Sequence, residues 1–180
     1  MKHQKHICIN KDEETRLKSS SGGIFTLLAD LVLQEEGAVF GAAFNSQFEL
    51  EHICIDNSNI DDLYKLRGAK YLQSRIGNAY IEAERKLKTG KPVLFTGTPC
   101  QIAGLRSYLN KQNRVDIEYK ENKEKNESKE KEGNKGNSNL ITMDFVCHGV
   151  PSPKVWDIYM KFREDKEKKA VEVKSEVNTE

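Results

Sequence analysis

Two cysteines stand where a thiol can do chemistry. In "LFTGTPCQIAGL", residues 94–105, a hydrophobic run turns into a helix and Cys100 follows a Thr-Pro pair. Thr98 suits the N-cap, Pro99 suits the first helical position because its missing N–H needs no partner there, and Gln101 completes a T-x-x-Q capping box. Cys100 then lies in the first helical turn, where unpaired N–H groups and the positive end of the helix dipole favour a thiolate. The second turn repeats the plan. "LITMDFV" runs into "CHGVPSP", which puts Cys147 and His148 beyond a strand and ahead of a helix with Ser152 as N-cap and Pro153 as first residue. Open α/β sheets bind ligands outside the carboxyl ends of their strands, and both turns point to that edge. The plainer reading is of small residues buried in tight turns, with Gly97 and Gly149 supplying backbone freedom.

"SSSGGIF" sets Ser19, Ser20, Ser21, Gly22 and Gly23 directly before the first long helix, where hydroxyls and backbone N–H groups can cradle a phosphate or simply cap the helix. It matches neither G-x-G-x-x-G nor a Walker loop. In "LRGAKYLQS", Arg67 and Lys70 flank Gly68 with Tyr71 beside them, which suits a pyrophosphate or acidic ligand and equally an exposed charged turn. Cys8 and Cys54 sit in the alternating stretches "HICIN" and "HICID" and read as small buried hydrophobes. His3, His6 and His52 have no neighbours at ligand spacing and are expected in solvent.

The elements that would position these residues alternate along the chain. "HICI" reads as a first strand, and "GIFTLLADLVLQEE" as a helix with Ile24, Leu27, Leu28 and Leu31 on one face. "AVFGAAF", "EHICI", "KPVLF" and "LITMDFV" read as strands, and "IDDLYKL" as a short helical piece. "GNAYIEAERKLKTG", "QIAGLRSYL" and "PKVWDIYMKF" read as helices, the last with Val155, Ile158, Tyr159 and Phe162 facing one way. Strands apolar on both faces and alternating with helices imply an α/β fold, a mostly parallel sheet with helices on both faces. One domain over residues 5–165 is expected. It is interrupted at Lys120–Asn139 by a run of Lys, Glu, Asn, Gly and Ser with no apolar residue, expected to be a disordered polar loop. The polar tail 166–180 holds "AVEVKSEV", which alternates as a strand would.

Composition excludes several classes. Lys plus Arg number 29 against 28 Asp plus Glu, so no global basic field draws the chain to nucleic acid or an anionic membrane. No run approaches a membrane span, and the N-terminus lacks a signal peptide's apolar region, so a cytoplasmic protein with reduced thiols is expected. The four cysteines include no close C-x-x-C pair.

Taken in order, "RLKSSSGGIFTLLADLVLQEEGAVFGAAF", "LRGAKYLQS", "LKTGKPVLFTGTPCQIAGL" and "LITMDFVCHGVPSPKVW" resemble the coenzyme F420 hydrogenase/dehydrogenase beta-subunit family. The resemblance spans most of residues 7–163 outside the polar insert. It implies FAD and a 4Fe–4S cluster, a ferredoxin-like domain or protein as electron donor, and a small organic acceptor. Carried over by position, it implies that Ser19–Gly23 and Arg67–Tyr71 contact the flavin. It also implies that Gly97, Thr98, Pro99, Cys100 and Gln101 line the redox site beside Cys147 and His148, with Cys100 and Cys147 as candidate iron–sulphur ligands. Relatives typically begin with a cysteine-rich ferredoxin-like domain and continue past the helix of Trp156, so the chain is expected to be a truncated product or a split subunit.

The leading expectation is therefore a flavin- and iron–sulphur-linked oxidoreductase or a piece of one. The alternatives are a non-catalytic remnant or split subunit that needs a separate ferredoxin-like partner, and a thiol enzyme with Cys100 as nucleophile and His148 as base.

Overall fold

The computed structural model describes residues 8–123 and 139–177, with side chains over 8–111 and 139–167. Contacts divide it into two compact units, Met1–Ala69 with Ser74–Cys147, and Lys70–Gln73 with His148–Glu180.

The first unit holds a four-stranded sheet of β1 (Ala38–Phe44), β2 (Leu50–Ile55), β3 (Val93–Gly97) and β4 (Leu140–Asp144) in the order β2-β1-β3-β4. The β2–β1 pair is antiparallel, while β1–β3 and β3–β4 are parallel, with Gly97 opposite Asp144. The helices are α1 (Glu13–Leu17), α2 (Ile24–Gln34), a 3-10 helix (Ile60–Leu66), α3 (Ala79–Lys88) and α4 (Pro99–Lys123). One sheet face buries Val39, Ala43, Ile55 and Leu94 under α2 and the 3-10 helix. The other buries Phe40, Val93 and Phe95 under α3 and α4. Adjacent Leu94 and Phe95 point to opposite faces and are both fully buried, each worth roughly 1.5–3 kcal/mol of transfer energy. That double burial is why β3 reads as an uninterrupted apolar run, and it gives the mostly parallel, helix-covered sheet its core.

The structure differs from the sequence reading at several elements. Of "HICI", His6 lies outside the described residues with Ile7, while Cys8 and Ile9 form no strand and are exposed. In α2 the buried positions are Thr26, Ala29, Val32 and Leu33, whereas Leu27 and Leu31 face solvent. This helix is apolar nearly all round, so its periodicity does not select a face. Helix α4 runs to Lys123, past the expected start of the polar loop at Lys120; residues 124–138 lie outside the described residues. Helix α1 has no apolar stripe to announce it. It rests on Asp12, whose carboxylate accepts the Thr15 N–H at 2.9 Å.

The second unit contains α5 (Pro153–Val177), so "AVEVKSEV" is helical rather than extended. Ser152 caps it, its carbonyl accepting the Val155 N–H at 2.9 Å. Val155, Ile158, Tyr159 and Phe162 share one face and are all exposed, with Trp156 and Tyr159 in ring contact. No helix among the described residues is long and apolar enough to cross a membrane.

Candidate functional site

Parallel β3 and β4 end side by side at Gly97 and Asp144, and each is followed three residues later by a cysteine, Cys100 and Cys147. Both thiols are free and exposed. On the α2 side of these strand ends lies an open cleft of about 430 Å³. Its walls are the Ser19–Gly23 loop with the start of α2, the Arg67–Ala69 segment after the 3-10 helix, and Thr96, Met143 and Phe145 from β3 and the end of β4. Two of the segments read from sequence as anion-binding, 49 residues apart at the contact, thus meet across one hollow: the Ser20 Oγ accepts the Ala69 N–H at 2.8 Å.

The loop is tightly built. Gly23 caps α2 at φ +75° with no side-chain cap bond, leaving the first N–H groups of the helix without a side-chain acceptor there. Asn10 N–H donates to the Gly22 carbonyl at 2.7 Å, and a Cβ on Gly22 would stand 2.6 Å from the Cys8 carbonyl oxygen. Ser19 donates its hydroxyl to the Thr15 carbonyl at 2.7 Å, which orients it away from ligand duty. The amide dipoles at the start of α2, Ser21, the Arg67 guanidinium and the Phe145 ring give the hollow a chemistry suited to a ligand that is anionic at one end and flat at the other.

The Cys100 turn does not line this cleft. Pro99 instead borders a neighbouring hollow of about 640 Å³ with Arg106, Lys111 and Asp144. Half of the predicted capping box is present: Gln101 Oε1 accepts the Thr98 N–H at 3.0 Å, and the Thr98 C=O accepts the Ile102 N–H at 3.0 Å as the first bond of the helix. The Thr98 hydroxyl lies 3.1 Å from the Cys100 Sγ rather than on the Gln101 N–H. Gly97 is required by close approach instead of by backbone freedom, since a Cβ there would meet Gln101 Oε1 at 2.9 Å and His52 Nε2 at 3.4 Å. Gly149, at φ +116°, does use a conformation that favours glycine. Lys70, Tyr71 and His148 belong to the second unit. Within it Tyr71 is exposed, and burial brings the Lys70 ammonium down to about 8.

His52 corrects the expectation of a solvent histidine. It is buried, stacked on Phe95 with centroids 5.2 Å apart, and bonded at both nitrogens. Nε2 stands 2.9 Å from the Thr96 carbonyl, which can only accept, so Nε2 carries the proton. Nδ1 therefore accepts the Ser74 hydroxyl at 2.9 Å. Ser74 Oγ in turn accepts from Gln101 Nε2 at 2.9 Å, and Gln101 Oε1 faces the Thr98 N–H. The residues of this buried ring come from β2, a loop, β3 and the first turn of α4. Burial pushes the His52 imidazole below its ordinary value, the Thr96 carbonyl opposing. No spacing signal could have found it.

Cys54 behaves as expected: half-buried against the second core cluster, its thiol is pushed up to about 11 by burial. Cys8 does not, being exposed at the rim of the cleft because no strand forms around it. His3 lies, like His6, outside the described residues. Among the described residues no group of three or more His, Cys, Asp or Glu could hold a metal ion.

Residues 90–177 match the family described as the C terminus of the coenzyme F420 hydrogenase/dehydrogenase beta subunit. The match takes in both cysteine turns, the Pro99 hollow and the helix of the second unit. No curated protein matches the chain.

Proposed function

We propose, from the match of residues 90–177 to the coenzyme F420 hydrogenase/dehydrogenase beta-subunit family, a redox family whose beta-subunit type points to an assembly of several subunits, that the chain is the flavin-holding part of an oxidoreductase. In this reading it carries electrons or hydride between an iron–sulphur donor on a separate ferredoxin-like partner and a small organic acceptor. The observation that supports it best is the cleft at the carboxyl ends of β3 and β4, where Ser19–Gly23 and Arg67–Ala69 converge.

The residues present fit part of FAD. The N-terminus of α2 and Arg67 suit the pyrophosphate, and Phe145 and Met143 offer an apolar wall for a ring system. A volume of about 430 Å³ would take one end of a dinucleotide. FAD, when bound, supplies the exchange of an electron pair with the organic acceptor and of single electrons with the partner. This chain's own part is to bind, orient and shield it. A 4Fe–4S cluster does not fit the described residues. It needs four thiolates, and Cys54 is committed to the core. The cluster is accordingly assigned to the partner, and Cys100 and Cys147 to the strand-end rim that faces the exchange.

The test is an anaerobic titration of the purified full chain with FAD, followed by flavin fluorescence and visible absorption, alongside Arg67→Glu. Saturable binding that Arg67→Glu weakens at least tenfold supports the reading. A folded chain that leaves FAD fluorescence unchanged, or binds it equally well with Arg67→Glu, removes it.

A further inference from the structure

We propose that His52, as the neutral Nε2–H tautomer, is the positioning residue of the Gly97–Gln101 turn, and that the ring it closes through Ser74 and Gln101 is a proton-operated latch on the strand end that presents Cys100. Every donor in the ring meets an acceptor, and Gln101 Nε2 meets two, the Ser74 hydroxyl oxygen at 2.9 Å and the Ser74 carbonyl at 3.2 Å. Thr98 N–H is held by Gln101 Oε1, Gln101 Nε2 by Ser74, the Ser74 hydroxyl by His52 Nδ1, and His52 Nε2–H by the Thr96 carbonyl. The chain of assignments has one solution, because the carbonyl at one end and the amide N–H at the other are fixed in kind.

A second proton on the imidazole must go to Nδ1, where it meets the Ser74 hydroxyl proton head-on. Ser74 would then have to accept from both His52 and Gln101 and aim its own hydrogen into a buried space, the residue being 6% exposed. Among the described residues around the ring, nothing offers a counter-charge. From β2 the titratable neighbours in sequence are Glu51 and Cys54; from the Ser74 loop, Arg75, which is paired with Glu49; from α3, Tyr80, whose hydroxyl donates to the Gln101 carbonyl at 2.7 Å; from α4, Cys100 beyond Thr98. β1 and β3 bring Ala42, Phe95, the Thr96 carbonyl and Gly97, none of which titrates. Burial holds the imidazole below its ordinary value, and the Thr96 carbonyl opposes it. Protonation therefore leaves the Ser74 hydroxyl hydrogen without an acceptor and loosens its hold on Gln101, which keeps only its 3.2 Å bond to the Ser74 carbonyl, so the support of Gln101 for the Thr98 amide weakens.

That the turn matters for electron exchange rests on the redox reading above. The latch itself does not, and its test needs no flavin. The ring nitrogens of His52 and the hydrogen exchange of the Thr98 amide, corrected for intrinsic rates, are followed by NMR on the full chain from about pH 4.5 to 8, spanning the ordinary imidazole value. The expected result is a protonated Nε2 with a bare Nδ1 at neutral pH. Thr98 protection then falls about tenfold in step with His52 protonation, while the β3 amides stay protected. In Ser74→Ala, Thr98 protection is already reduced at neutral pH and no longer follows His52. An Nδ1–H tautomer, or Thr98 protection that holds steady through the titration of His52, overturns the proposal. So does a folded Ser74→Ala that behaves as wild type. Should that variant not fold, the wild-type titration alone decides. A latch that fails while FAD still binds leaves the function reading standing, and the reverse outcome leaves the latch.

Discussion

Gly97 and Gln101 sit so close that a methyl group on the glycine would stand 2.9 Å from the glutamine Oε1, the atom that holds the Thr98 N–H. The end of β3 is thus glycine for the sake of α4. Gly97→Ala is expected to push Gln101 off the ring and cost about 1–3 kcal/mol, the usual range for overpacking a close-packed site. Urea unfolding followed by circular dichroism measures it. A midpoint unchanged from wild type would show that the turn has slack that the structure lacks.

The ring also predicts how stability depends on pH. The folded imidazole of His52 lies below its ordinary value because of burial, whereas the unfolded one titrates near ~6.5. Between the two values the unfolded chain binds the extra proton, so stability is full above ~6.5 and declines as pH falls from there toward the folded value. His52→Gln, which keeps an N–H for Thr96 and cannot be protonated, should flatten that decline. Unfolding midpoints taken over this window decide it, and parallel curves for both proteins would refute the assignment.

The strands were legible because burial on both faces leaves a plain mark, as in "AVFGAAF", which is β1 residue for residue. The two cysteine turns were legible because capping chemistry is local to Thr98–Gln101 and Ser152–Pro153. The meeting of Ser20 with Ala69 was half visible, as two phosphate-suited segments, but not that they share a wall. The His52 ring was invisible. Its members at 52, 74, 96, 98 and 101 are joined by sheet register and by the docking of α4, and neither leaves a spacing. The α2 face differs for another reason: of the expected Ile24, Leu27, Leu28 and Leu31, Leu28 packs on the core but Leu27 and Leu31 are exposed, while Thr26, Ala29, Val32 and Leu33 are what is buried.

Thiol environments separate the four cysteines. Burial pushes the Cys54 thiol up to about 11, while Cys8, Cys100 and Cys147 are exposed. Under iodoacetamide at mildly alkaline pH, Cys54 in the folded chain should react roughly a hundredfold more slowly than the other three and catch up only in denaturant. Peptide mass spectrometry over a time course reads this directly. Labelling of Cys54 at the rate of Cys8 would mean that the second core cluster opens readily.

The floor of the cleft gives the most pointed comparison for the functional reading. At Gly22 a Cβ would lie 2.6 Å from the Cys8 carbonyl oxygen, a backbone atom that cannot swing away, so Gly22→Ala must lift residues 8–10 and break the 2.7 Å bond from the Asn10 N–H. At Gly68 the same methyl would find only the Ser20 Oγ at 3.9 Å, and the cost is the left-handed φ of +83°, about 1–2 kcal/mol. Gly22→Ala is therefore expected to lose about 1–3 kcal/mol of stability and to weaken FAD binding by at least tenfold, because the loop that frames the start of α2 is displaced. Gly68→Ala is expected to lose a similar amount of stability with a smaller effect on FAD, since the Ser19–Gly23 loop stays where it is. Binding titrations on both variants, each checked for folding, distinguish a cradle at the α2 N-terminus from a cleft that merely needs to be folded. Equal losses of affinity in the two would count against the cradle.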